Sequence, residues 1–337
     1  MNIVFRVDSS NKMGVGHLIR CLTLADELNK KNYKIIFICR DLEGSLISLI
    51  KYAVLTLPKN NDFQSNDFYL NWLGATQEQD AKQTIATMPE GTDLMVVDSY
   101  ALDKKWHKIL RPHIKKIIVI DDLADRQFDC DVLLNQNFGT QEKEYKNKVP
   151  DDCELLLGCD YALLRPEFSE LREQALKKRK NTSKIKNILI SVGGSDVNNL
   201  TYDILQELSG KFCVVVVLGR TSPHNRMIMD YAQDKDISVI VDADNMAELM
   251  MNADLSIGAG GSTSWERCCL GLPTLLFITA ENQRVIAESL ERLGASIIVK
   301  NLRNDLQTIV GNFSLWRKMS EKAQTVCDGT GVKRIKI

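Results

Sequence analysis

Short runs rich in valine, isoleucine and leucine recur along this chain, separated by longer stretches of helical pattern, and the series runs twice. The first half offers Ile3–Val7, Lys34–Cys39, Val54–Leu57, Leu94–Val97, Lys116–Ile120 and Val132–Leu134. The second offers Asn187–Ser191, Phe212–Leu218, Ser238–Val241, Leu255–Ile257, Thr274–Ile278 and Ser296–Val299. Runs that are apolar without alternation belong to strands buried on both faces, which is the condition of a parallel sheet covered by helices. Strands alternating with helices imply βαβ units. Leu18–Asn29 is the first such helix, with Leu22, Ala25 and Leu28 (or Ile19, Leu22 and Ala25) expected on its buried face.

Between the two series, Glu167–Asn181 is polar and strongly charged. It reads as a solvated helix leading into a link; a surface helix inside one domain fits the same composition. The expectation is an α/β protein of two Rossmann-like, doubly wound domains, 1–166 and 167–337, with a cleft between them. A length of 337 residues and 44% hydrophobic content supply enough apolar material for two cores.

A net charge of −1 gives no bulk electrostatic case for nucleic acid or an anionic membrane. No apolar stretch approaches the roughly 18 residues that span a bilayer. The opening MNIVFRVDSS is strand-like and lacks the features of a signal peptide. The nine cysteines include no CxxC pair, so a zinc site is not expected, and they read as reduced, small hydrophobes. A cytoplasmic monomer without metal or cofactor is the resulting expectation.

Ligands of doubly wound sheets bind beyond the carboxyl ends of the strands, so the loops after them carry the chemistry. After the first strand comes Asp8-Ser9-Ser10-Asn11-Lys12-Met13-Gly14-Val15-Gly16-His17. Its glycines allow close backbone approach, and a helix begins near His17 with free N–H groups suited to a negative ligand. A histidine there is disfavoured as a cation and is expected to stay neutral, as a general base must. It equally suits a helix cap, and G-x-G-H alone does not decide between them. Asp98-Ser99-Tyr100 and Asp121-Asp122-Leu123 put polar groups at strand ends, where they either hold a ligand or cap helices.

Two loops in the second half look built for phosphate. Ser191-Val192-Gly193-Gly194-Ser195-Asp196 runs from strand through paired glycines to helix, without the Gly-Lys-Ser/Thr of a Walker motif. Ile257-Gly258-Ala259-Gly260-Gly261-Ser262-Thr263-Ser264-Trp265-Glu266 offers backbone and hydroxyl donors around a diphosphate. Glu266, about one turn into the following helix, can accept from two ribose hydroxyls or merely complement the helix dipole. Asn282 and Gln283 open another polar helix start. His107, His113 and His224 are expected at the surface, and Met246–Met251 as a helix face against the core.

Taken together, these motifs form an ordered series. It begins with Phe5-Arg6-Val7-Asp8-Ser9-Ser10 and Gly14-Val15-Gly16-His17, and continues with Asp98-Ser99-Tyr100, Asp121-Asp122-Leu123-Ala124-Asp125-Arg126 and Leu134-Asn135-Gln136-Asn137. It extends through Gly158-Cys159-Asp160-Tyr161-Ala162-Leu163-Leu164-Arg165, the two glycine loops and Asn282-Gln283. The series resembles the UDP-2,4-diacetamido-2,4,6-trideoxy-β-L-altropyranose hydrolases of pseudaminic acid biosynthesis, over nearly the whole chain. That family is similar in turn to GT-B glycosyltransferases, especially the one that adds N-acetylglucosamine to the peptidoglycan lipid precursor.

The resemblance implies a GT-B-like fold, UDP held mainly by the second domain, and cleavage of the sugar C1–O bond with release of UDP. It implies His17 as catalytic base and Tyr100 and Asn282 as substrate residues. Asp8, Gly16, Asp122 and Gln283 are expected beside the substrate, and Gly193, Gly194, Ser195, Gly260, Gly261, Ser262, Thr263 and Glu266 around UDP. A glycosyltransferase, a hydrolysing 2-epimerase and a non-catalytic UDP-sugar module would share the fold, which does not separate them.

Overall fold

The computed structural model describes residues 1–60, 62–194, 196–208 and 210–337. The chain forms two compact units: Met1–Leu163 together with Val332–Ile337, and Leu164–Gly331. The tail 332–337 was expected to lie with the second domain. It is part of the first because Val332 and Ile335 are buried among first-unit residues.

The first unit contains β1 (Asn2–Val7), α1 (Gly16–Asn29), β2 (Lys34–Arg40), β3 (Ala53–Leu57), α2 (Phe68–Leu73), α3 (Gln77–Thr87), β4 (Leu94–Asp98), α4 (Lys104–Leu110), β5 (Lys116–Ile120), β6 (Val132–Asn135) and β7 (Glu154–Leu157). All strands are parallel, in the order β3-β2-β1-β4-β5-β6-β7. The side-chain period of two divides β1 between two cores. Ile3, Phe5 and Val7 join Leu18, Cys21, Leu24 and Leu28 of α1 on one face. Val4 joins Ala81, Trp106 and Leu110 on the other.

Two expectations shift here. The buried stripe of α1 is Leu18, Cys21, Leu24, Ala25 and Leu28, whereas Ile19 and Leu22 are half-buried. The helix is rotated so that Arg20 turns inward to a carboxylate. Strand β7 was not foreseen: it is a four-residue edge strand that opens on exposed Glu154, and only Leu156 is buried.

The second unit contains α5 (Pro166–Asn181), β8 (Asn187–Ser191), α6 (Leu200–Glu207), β9 (Cys213–Leu218), α7 (Asn225–Ala232), β10 (Ile237–Val241), α8 (Met246–Asn252), β11 (Leu255–Ala259), α9 (Thr263–Cys269), β12 (Thr274–Phe277), α10 (Arg284–Leu293), β13 (Ser296–Ile298), α11 (Leu302–Gly311) and α12 (Phe313–Ala323). Its sheet is also parallel, ordered β10-β9-β8-β11-β12-β13. Met250 and Met251 of α8 are buried, as the methionine-rich run suggested.

Helix α5 is a docked element rather than a solvated link. Arg172 donates to the carbonyls of Cys269, Cys327 and Gln324, and fully buried Arg179 donates to those of Ala253 and Met250. Arginine can sit in such a place because its planar fork meets several carbonyls at once. Among the described residues, no helix is long and apolar enough to cross a membrane.

Candidate active site and nucleotide loops

Both sheets reverse their strand order in the middle, between β1 and β4 and between β8 and β11. Those switch points are where doubly wound sheets leave a crevice.

At the first, Asp98 closes β4 with its carboxylate fully buried. Asp98 Oδ1 lies 2.6 Å from His17 Nδ1. Arg20, one helical turn on, donates to both oxygens of Asp98 at 2.6 and 2.7 Å, and to Asp122 Oδ2 at 2.6 Å. Burial alone would raise the Asp98 carboxyl, but the charges of Arg20 and His17 outweigh it and hold the group well below the usual range. Arg20 Nη2 also stands 3.2 Å from His17 Nδ1. An arginine only donates, so Nδ1 bears the hydrogen that the Asp98 carboxylate accepts, and in the uncharged tautomer the lone pair is on Nε2. His17 occupies the first turn of α1, one residue after Gly16.

Tyr100 completes this cluster. Its hydroxyl donates to Asp122 Oδ2 at 2.9 Å, and its ring meets His17 edge-on at 4.6 Å between centroids. Burial beside Asp122 raises the Tyr100 phenol well above its ordinary value, so it stays a donor. Under the loop, Asp8 Oδ1 accepts from Arg6 Nη1 and from the Arg40 backbone N–H, both at 2.6 Å. Asp8 Oδ2 is buried with no protein partner. Arg6 and Arg40 both reach Asp80, at 2.6 Å each, and Trp106 Nε1 donates to Asp80 at 3.0 Å.

These groups border a pocket whose walls include Asp8, Met13, His17, Tyr69, Trp72 and Tyr100. Asp8, His17, Tyr100 and Asp122 are thus one neighbourhood, as the sequence placed them. Arg20, Tyr69 and Trp72 were not singled out, and Asp98 was read only within the Asp98-Ser99-Tyr100 loop, not as the partner of His17. Arg20 had a usable signal, three residues after His17 on the same helix; Tyr69 and Trp72 had none, because α2 is too short to show a period.

At the second switch point, Gly193 has φ of +116°, a conformation that favours glycine, and Gly194 is exposed. A Cβ on Gly219 would come within 2.0 Å of the Gly194 carbonyl oxygen, so that position also needs glycine. Asp196 caps α6 through the N–H groups of Leu200 and Thr201. Ser195 lies outside the described residues.

On the neighbouring strand, Gly260 is buried, and Gly261, Ser262 and Thr263 lead into α9 with the Ser262 side chain exposed. Gln283 packs beside Gly260, its Oε1 accepting from Thr279, while Asn282 is exposed. Glu266 sits in the first turn of α9, 3.6 Å from Arg165. Burial pushes its carboxyl up, against the pull of Arg165 and Arg267.

Of the histidines expected at the surface, His113 is exposed and His224 half-buried, but His107 is fully buried. It packs between Trp106 and Phe128 and accepts from the Asp129 N–H at 3.3 Å. Among the described residues, no group of three or more His, Cys, Asp or Glu side chains could hold a metal ion.

Residues 167–334 match the model of the glycosyltransferase family 28 C-terminal domain. An uncharacterised protein of Methanocaldococcus jannaschii is 30% identical over 297 residues, 84% of this chain and 57% of that protein; the chain thus spans little more than half of that relative. A Campylobacter jejuni protein named UDP-2,4-diacetamido-2,4,6-trideoxy-β-L-altropyranose hydrolase is 28% identical over 302 residues, covering 89% of this chain and 100% of the relative. Among solved structures, Acinetobacter baumannii MurG superposes with a TM-score of 0.67 at 14% identity, over 98% of this chain and 97% of its own. The fold is GT-B-like.

Proposed function

We propose that the chain, whose residues 167–334 match the glycosyltransferase family 28 C-terminal domain model, hydrolyses a UDP-linked 2,4-diacetamido-2,4,6-trideoxy-hexose at its C1–O bond. The products are UDP and the free sugar. The similarity to the Campylobacter hydrolase over its full length supports the UDP-sugar substrate. The observation that carries the reaction is the Asp98–His17 pair in the wall of the first-unit pocket.

In this reading, Asp98 fixes the tautomer, and His17 Nε2 takes a proton from water as general base. The water attacks C1 on the face opposite UDP and inverts the anomeric centre. Tyr100 and Asp122, tied to the base through Arg20, hold the sugar, with Asp8 orienting it from below. Gly193, Gly194 and the Gly260–Thr263 backbone receive the diphosphate, Ser195 assists, and Glu266 takes the ribose hydroxyls. Gly16 gives the ligand room, and Asn282 and Gln283 lie beside the diphosphate. UDP leaves as a stabilised anion, so no metal is required.

The family name keeps a second reading open, a glycosyltransferase with the same donor site. Metal-free incubation of the protein with the UDP-sugar, followed by NMR, separates them. Release of UDP with free sugar of inverted initial anomer, lost in His17→Ala, is the expected result. UDP release that waits for an added acceptor would replace the hydrolase by the transferase.

A further inference from the structure

We infer that the second unit contains a buried site for one small monovalent anion of the halide class, with Arg267 as its counter-charge and Ser264 and Ser296 as hydrogen-bond donors. The site is independent of what the chain hydrolyses; only its effect on UDP rests on that reading.

The covered face of a parallel sheet is ordinarily apolar. Here the register pairs Ser256 with Thr274 and Thr274 with Ser296, so three hydroxyls stand in one row across β11, β12 and β13. All three are buried. Gly258 lies two residues on from Ser256 and therefore on the same face. A Cβ there would come within 2.9 Å of Arg267 Nη1, so the guanidinium lies against that face too. Thr274 donates to the Leu272 carbonyl at 3.1 Å, but the Oγ atoms of Ser256 and Ser296 have no protein partner. Nor have Nε and Nη1 of the buried Arg267. Ser264 Oγ accepts from Arg267 Nη2 at 3.2 Å, which leaves its own hydrogen to donate.

Ser264, Arg267 and Ser296 border one cavity, whose other walls include Cys268, Leu276 and Leu290. These walls select the occupant. Arg267 brings only donors and a positive charge, and both serine hydroxyls can turn a hydrogen toward the same point. The chain supplies no counter-ion. The neighbouring Glu266 faces Arg165 at 3.6 Å, and no carboxylate is within ion-pair distance of Arg267 among the described residues. Burial pushes the Cys268 thiol up to about 12, so it stays uncharged beside the cation. A second cation is repelled. Water satisfies the donors but leaves a buried charge without its opposite, which is the costlier deficit. The cavity has room for roughly one water-sized group, too little for phosphate or a carboxylate ligand. A halide meets charge, donors and size together.

Arg267 Nη2 also holds the Ala259 carbonyl of the glycine loop. A halide behind the loop offsets the charge that favours an anion in front of it, so halide and UDP oppose each other.

Chloride NMR linewidths are measured on the full-length protein without nucleotide, with methanesulfonate, which the cavity is too small to admit, keeping ionic strength constant. The expected result is a saturable broadening that bromide displaces. It should vanish in Arg267→Met and need roughly tenfold more chloride in Ser296→Ala, the size of one hydrogen bond to a charged group. Anomalous scattering from a bromide-soaked crystal should place one ion within hydrogen-bond reach of Arg267 and Ser296. By calorimetry, saturating chloride should weaken UDP binding by up to about tenfold relative to methanesulfonate. Broadening that is unchanged in Arg267→Met, or a cavity without a bromide peak, overturns the site. Halide binding with UDP affinity untouched overturns the coupling alone. A protein that binds the halide and hydrolyses nothing would remove the hydrolase reading and leave the site standing.

Discussion

Beneath the pocket of the first unit, the buried cations meet carboxylates: Arg6 with Asp8 and Asp80, Arg40 with Asp80, Arg20 with Asp98 and Asp122. In the second unit, Arg179 and Arg267 are as deeply buried, yet neither has a carboxylate within ion-pair distance among the described residues. Arg179 meets only backbone carbonyls, and Arg267 Nη2 donates to the Ala259 carbonyl and, at 3.2 Å, to Ser264 Oγ. The consequences for charge are opposite. Burial opposes the cation in each case. Aspartates nevertheless hold Arg6 and Arg20 above the ordinary arginine value, whereas Arg179 and Arg267 are lowered to about 10.

The first unit is an electrostatically closed arrangement that fixes geometry around a histidine. In the second, Arg267 holds the Ala259 carbonyl of the glycine loop with no carboxylate within ion-pair distance among the described residues, which under the proposed function favours an anion at that loop. The chemistry and the anion affinity are therefore separable by mutation. His17→Ala should cost about 10²–10⁴-fold in turnover while the Kd for UDP is unchanged by calorimetry. A parallel fall in UDP affinity would break the division.

Next in size, Asp80→Ala should cost about 3–5 kcal/mol in urea unfolding, because it strands Arg6 and Arg40 without their shared carboxylate. Arg267→Met, on the other side of the comparison, should leave stability nearly unchanged or raised. Its effect should appear as a roughly tenfold weaker UDP affinity, the size of one charge acting between protein and water.

The smallest effect is on pH dependence. Burial, then the charges of Arg126 and Arg111, lower His107 to about 3. The unfolded chain protonates this histidine near pH 6.5 and the folded chain does not, so stability is complete above that value. It is lost as pH falls toward 3, at up to about 1.4 kcal/mol per pH unit. Hydrogen exchange at pH 5 should show first-unit amides losing protection ahead of the second unit, and His107→Gln should flatten the difference.

His107 also marks where sequence reading ran out. It sits in a mixed helical stretch away from the glycine loops, which suggested the surface, and tertiary packing against Phe128 and Trp106 buries it. Strands buried on both faces announce themselves by apolar runs, so twelve of the thirteen were legible; β7 was hidden by its edge position and leading glutamate. Arginines account for two further misses. Arg20 was passed over, yet it turns inward to Asp98 and sets the rotation of α1, and the basic segment of α5 looked like a link although its arginines clamp carbonyls. The glycine loops and the Asp8, His17 and Tyr100 positions could be read because they follow strand ends. The aromatic wall at Tyr69 and Trp72 could not, since it reaches the pocket across long sequence separations.

The return of residues Val332–Ile337 to the first unit sets an order of events during synthesis. The first unit's core includes Val332 and Ile335, which are made only after the whole of Leu164–Gly331. At bacterial-to-eukaryotic translation speeds that interval is roughly 10–30 s. Throughout it, the nascent first unit must wait with part of its apolar surface uncovered while the second unit, contiguous in sequence, can already close.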